Sequence, residues 1–131
     1  MLKKLLIILF LASPLSAQAE WVAFSFDNKT ISYTDPTRFL ATNPSLGYAE
    51  AWIKLVPGVD IKEDGLLVGD HRLMKFKIKC KSEELAIVGV YNYRKDILVN
   101  SFVEKSITFE PIVPRTVGDT FSRYVCGQLY K

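Results

Sequence analysis

Any chemistry in this chain rests on a short set of residues. Its one histidine, His71, sits in Gly69-Asp70-His71-Arg72 and is the only conventional base that a Ser–His–Asp constellation could use. No nucleophile elbow, phosphate-cradling glycine loop or H-E-x-x-H pattern accompanies it. His71 therefore reads as a solvated residue where a loop enters a strand, and the sequence points away from an enzyme. The run Asp60-Ile61-Lys62-Glu63-Asp64-Gly65 has part of the look of a calcium loop. Lys62 breaks its ligand order, however, and the closing bidentate glutamate is missing, so it reads as solvated loop. No metal and no cofactor are expected.

Recognition chemistry has more to work with. Lys75, Lys77 and Lys79 alternate, which on a strand lines them up on one face about 7 Å apart. Lys81 extends the charge past Cys80. Like charges in line repel, and they form a docking stripe for an acidic protein or a sulfated polysaccharide. The same lysines would equally mark a solvent face or a guarded strand edge. Trp52, Tyr91 and Tyr93 are the aromatic candidates, since exposed Trp and Tyr are enriched where proteins meet partners. They would also serve simply to cover the second face of a sheet.

The two cysteines, Cys80 and Cys126, lie 46 positions apart and, with one histidine in the chain, make a poor zinc site. A disulfide depends on compartment, and the N-terminus speaks to that. Lys3 and Lys4 precede an apolar stretch from Leu5 to Ala12, and Ala17-x-Ala19 gives the small-x-small pattern of signal-peptidase cleavage. The apolar run is far shorter than the roughly 20 residues that span a bilayer, and no later segment qualifies. Residues 1 to 19 thus read as a signal peptide and 20 to 131 as one domain. The first cysteine is Cys80, so no lipid-anchor cysteine follows the cleavage site. The product is expected to be periplasmic or secreted, without a transmembrane segment or lipid anchor.

Removing 19 of 131 residues leaves 112, enough for one modest core. The two signal lysines go with it, taking 17 basic residues to 15 against 14 acidic ones, a net charge of +1. Bulk charge then suggests no nucleic-acid partner. In an oxidising compartment the two cysteines have a single intramolecular pairing. Closing that loop stabilises a fold by about 4 kcal/mol in the chain-entropy view.

The elements that position these residues are mostly period-two runs bounded by turn residues. Strands are expected over 21–26, 30–34, 48–55, 72–80, 85–93, 96–103 and 106–112. Residues 35–46 read as a turn or short helical piece around Phe39 and Leu40, 56–69 as a mobile loop, and Tyr93-Arg94-Lys95 as a tight turn. On the 48–55 strand Ala49, Ala51, Ile53 and Leu55 share one face; Tyr48, Glu50, Trp52 and Lys54 share the other. Near the end the period changes. Thr116-x-x-Asp119 has the form of a helix N-terminus, and Val117, Phe121 and Val125 recur at helical spacing to about Cys126 or Gly127. The fold class is α+β, mainly β: an antiparallel sheet of about five to six strands with a C-terminal helix and one disulfide.

Trp21-Val22, Tyr33-Thr34-Asp35-Pro36, the long strand with Trp52, Phe76-Lys77-Ile78-Lys79-Cys80, Tyr91-Asn92-Tyr93 and Tyr124-Val125-Cys126 follow one another in order. This succession resembles the surface-adhesin protein E family of small exported bacterial domains, across essentially all of 20–131. The resemblance implies an antiparallel sheet joined to a C-terminal helix by a Cys80–Cys126 bridge. It also implies adhesin-like binding, since the member that names the family is a lipid-anchored adhesin for host matrix and plasma proteins. The expected function is an exported, non-enzymatic binding module that recognises a protein or acidic polysaccharide through a sheet face. The second reading is a periplasmic inhibitor or accessory factor of an envelope enzyme such as lysozyme, presenting the acids of 60–64.

Overall fold

The computed structural model describes residues 19–131, so the signal-peptide reading of 1–19 falls outside the described residues except for Ala19. Eight strands form one antiparallel sheet: β1 (Val22–Phe26), β2 (Thr30–Thr34), β3 (Leu40–Asn43), β4 (Tyr48–Pro57), β5 (Asp70–Lys79), β6 (Glu84–Arg94), β7 (Ile97–Val103) and β8 (Glu110–Pro111). The main path is β1-β2-β4-β5-β6-β7, with β3 also paired to β4 and β8 to β6. One helix, α1 (Val117–Leu129), follows the last strand.

The alternation in β4 and β5 decides which face is buried. Ala49, Ala51 and Ile53 pair with Ile78, Phe76 and Met74, so all six point the same way. The helix lies on that face. Phe121 and Val125 are fully buried against it, between Phe24 and Phe76, whose rings stand 5.7 and 5.4 Å from Phe121. The two alanines of β4 leave room for the helix to come close. Full burial of a Phe side chain stabilises by roughly 2–3 kcal/mol.

The helix begins where the sequence places it. Thr116 accepts the Asp119 N–H at 3.2 Å, and the Asp119 carboxylate accepts the Arg115 N–H at 3.0 Å. Hydrogen bonding from the Arg115 N–H holds that carboxyl below its usual range. The Cys80–Cys126 disulfide then ties the end of β5 to the last turns of α1. The Tyr130 hydroxyl donates to the Tyr48 carbonyl, a second tie between the chain's end and the sheet.

Four details differ from expectation. Residues 40–43 form β3, flanked by 3-10 turns over Pro36–Arg38 and Pro44–Leu46. The 56–69 loop is anchored, because Ile61 and Leu66 exchange backbone hydrogen bonds and are both buried. The β6–β7 turn is Lys95-Asp96, both left-handed at φ 49° and 64°, rather than 93–95. Of the strand expected over 106–112, only Glu110–Pro111 pairs. The buried Asp35 of the Tyr-x-Asp-Pro stretch is structural: its carboxylate accepts from the N–H and hydroxyl of Thr37 and from the Glu20 N–H.

Candidate functional site

The face of the sheet turned away from α1 collects the candidate residues. Register sets Trp52 beside Lys75, Glu50 beside Lys77 and Tyr48 beside Lys79. On the next strand Leu73 faces Tyr91 and His71 faces Tyr93. All six residues singled out for binding (Lys75, Lys77, Lys79, Trp52, Tyr91 and Tyr93) therefore share this one face.

The lysines do not form a free stripe. The Glu50 carboxylate lies between two of them, 3.5 Å from Lys75 Nζ and 3.9 Å from Lys77 Nζ, and Glu84 lies 3.9 Å from Lys79. The repulsion expected of three cations in line is thus largely cancelled within the sheet. These pairs are partly solvated, where a single ion pair contributes about 0–1 kcal/mol. Their arrangement matters more than their energy, since it sets carboxylates among the ammonium groups of one face. Lys81 does not extend the series. Its ammonium donates to the Ser45 carbonyl at 2.9 Å and its stem lies on Gly47, on the side of Tyr130 and Cys126.

Three lysines also lie over rings. Lys75 stands 5.8 Å from the centre of Trp52, Lys54 5.7 Å from Trp21, and Lys79 4.2 Å from Phe109 and 5.7 Å from Tyr48. Such contacts are worth about 0.5–1 kcal/mol at exposed sites and hold the lysine stems along the sheet. Trp52 in turn meets Tyr91 at 5.6 Å, and His71 stacks on Tyr93 at 4.6 Å with the rings nearly parallel. His71 titrates below its ordinary value of 6.5, first because partial burial disfavours its charged form and then because Lys54 is near. It thus belongs to the same face as the lysines and Tyr93, where the sequence placed it at a solvated junction.

Sequence reasoning overlooked several components. Lys54, Tyr48 and Glu50 were legible as neighbours of Trp52 on one strand face, but Glu50's role between two lysines depends on the β4–β5 register. Phe109 and Ile107 close the far end of the face beside Tyr48 and Lys79. They arrive on the segment before β8, whose position only the fold reveals.

No protein-family model matches the chain, and no curated protein or solved structure does so. What the face can bind must follow from its own atoms.

A concavity of about 780 Å³ opens on the helix side between the start of α1 and the 60–64 loop. Its floor is Ile53, Leu55, Met74 and Phe76, a continuation of the core. Its rim residue Asp27 is already engaged by the N–H groups of Lys29 and Thr30, which hold the carboxyl below its usual range. Among the described residues, convergent cations and rings occur on the opposite face.

Proposed function

We propose that this chain is an exported, non-enzymatic binding module whose lysine-and-aromatic face takes an acidic polysaccharide. The observation that carries this reading is the interleaving of three lysines, Lys54, Lys75 and Lys79, with aromatic rings on one sheet face. Sugar rings present C–H groups that lie flat on Trp and Tyr, while their carboxylates or sulfates meet ammonium groups. Cation and ring spaced along a strand suit a ligand that repeats along its own length. Glu50 and Glu84 hold the lysines in place and give way when a stronger anion arrives. The disulfide supports the exported setting, since such bonds persist in oxidising compartments. Among the described residues no helix is long and apolar enough to cross a membrane.

Chromatography on immobilised heparin tests the reading. The protein should be retained at about 0.1 M salt and elute as salt screens the lysines. Lys75→Gln/Lys77→Gln/Lys79→Gln should elute markedly earlier, and Trp52→Ala should weaken binding with little change in salt dependence. A folded wild-type protein that flows through at this salt removes the proposal. Inhibition of lysozyme lysis by that same non-retained protein would favour the inhibitor reading.

A further inference from the structure

The concavity between the start of α1 and the 60–64 loop has a chemistry of its own. At about 780 Å³ it falls within the roughly 300–1,000 Å³ of small-molecule sites. Leu55 and Met74 are only half-buried along its floor, so apolar surface beyond the reach of the helix stays open to solvent. Ser32 pairs with Leu55 and so turns to the same side. It is 5% exposed and lines the concavity, and among the described residues its hydroxyl has no hydrogen-bond partner. Thr34, two positions on, gives its hydroxyl to the Trp52 carbonyl at 2.6 Å. A hydroxyl sunk in an apolar wall costs stability unless something bonds it, and the concavity is where a partner can reach Ser32.

The mouth is acidic. Asp27, Glu63 and Asp64 line it against one cation, Lys29. Asp27 is spent on its own turn, accepting from the N–H groups of Lys29 and Thr30 and from the Thr30 hydroxyl. Glu63 and Asp64 are exposed, and among the described residues neither forms an ion pair. Arg72 comes near, but its guanidinium bonds the Asn92 side chain and the Asp64 carbonyl rather than a carboxylate. The loop holds both acids in position. Ile61 exchanges backbone hydrogen bonds with Leu66, and Gly65 turns the chain between them at φ 64°, which glycine permits. The wall opposite is the first turn of α1, whose positive end carries its own carboxylate in Asp119. The unpaired charge at the mouth is therefore negative.

We infer that this concavity binds an amphipathic cation, a small molecule whose apolar body lies on Leu55 and Met74 and whose ammonium group meets Glu63 and Asp64. A hydrogen-bonding group at the far end of that body engages Ser32. The site faces away from the lysines and takes a ligand of the opposite charge, so it stands independently of the polysaccharide reading.

Calorimetric titration of the purified protein at pH 7 with octylamine, octanol and octanoate tests this, because the three share a chain and differ in head charge. Octylamine should bind about fivefold more tightly than octanol, the worth of one solvated ion pair, and octanoate more weakly than either. Methylamine, the head without the chain, should not bind measurably. Glu63→Gln/Asp64→Gln changes two exposed side chains and should fold as wild type while bringing octylamine down to the level of octanol. In NMR spectra octylamine should shift the methyl signals of Leu55 and Met74 and leave the Trp52 indole unmoved. Ser32→Ala should weaken 8-amino-1-octanol, which has a hydroxyl at its far end, and leave octylamine unchanged. No binding of octylamine overturns the inference, as does equal binding of amine and alcohol, or a response at Trp52 in place of Leu55 and Met74. Equal effects of Ser32→Ala on both amines overturn the part given to Ser32.

Discussion

The β1-β2-β4-β5 half of the sheet and the β6–β7 hairpin are made of similar residues under opposite conditions. In the first half, α1 lies over Ala49, Ala51, Phe76 and Ile78, and the disulfide and Tyr130 fasten the helix down. In the hairpin, Phe102, Ile97 and Val103 project from a strand that nothing covers among the described residues. Phe121 and Phe102 are the same side chain with different duties. What stands over a residue, rather than its type, decides whether it stabilises the fold or remains available to a partner. The clamped half provides stability, and the hairpin provides surface.

The largest effect that could break this contrast is in the clamp. Phe121→Ala should cost about 3–5 kcal/mol in urea unfolding, because it deletes a fully buried ring. Phe102→Ala should cost within about 0.5 kcal/mol, as expected of an exposed position. Equal costs would abolish the distinction between the two halves. Next comes the bridge. Replacing Cys80 and Cys126 together by Ser should lower stability by about 2–5 kcal/mol. Hydrogen exchange should then rise first along α1, whereas β7 amides, half of them unprotected already, should change little.

The lysine-and-aromatic face supplies the smaller effects. Glu50→Gln removes the carboxylate held between Lys75 and Lys77 and should strengthen heparin retention, moving elution to higher salt. Weaker retention would mean that Glu50 positions the lysines more than it neutralises them. The smallest effect is in pH. In the unfolded chain His71 takes up a proton near 6.5, while in the folded protein it does so only at lower pH. The unfolded state therefore binds more protons in that window, and stability should decline modestly as pH falls below about 6.5. His71→Phe should remove the decline, and thermal melts across pH 5–8 would show it.

The parts legible in the sequence were those whose signal is local. The alternation in β4 and β5, the Thr116–Asp119 cap and the helical spacing of Phe121 and Val125 each report a periodicity that needs no distant partner. β3 was missed because Leu40-Ala41-Thr42-Asn43 has no apolar rhythm: Leu40 faces out, and the strand exists by pairing with Tyr48, Ala49 and Glu50. The 106–112 segment was over-read for the opposite reason. Ile107 and Phe109 do alternate inward, yet only the last two positions reach the β6 backbone. The lysine series was visible as a pattern of charge. Its neutralisation was not, because Glu50 lies 25 residues before Lys75 in the chain and meets it only through register.

The bridge has one more consequence, in the chain's covalent topology. Cys80 and Cys126 close a ring of protein that contains all of β6, β7 and β8 and most of α1. The exposed Lys95-Asp96 turn lies on that ring. A protease that cuts there opens the ring without dividing the molecule. The two pieces remain one species under oxidising conditions and part only when the bridge is reduced. Under oxidising conditions, the exposed turn of the hairpin can thus be nicked without release of either fragment.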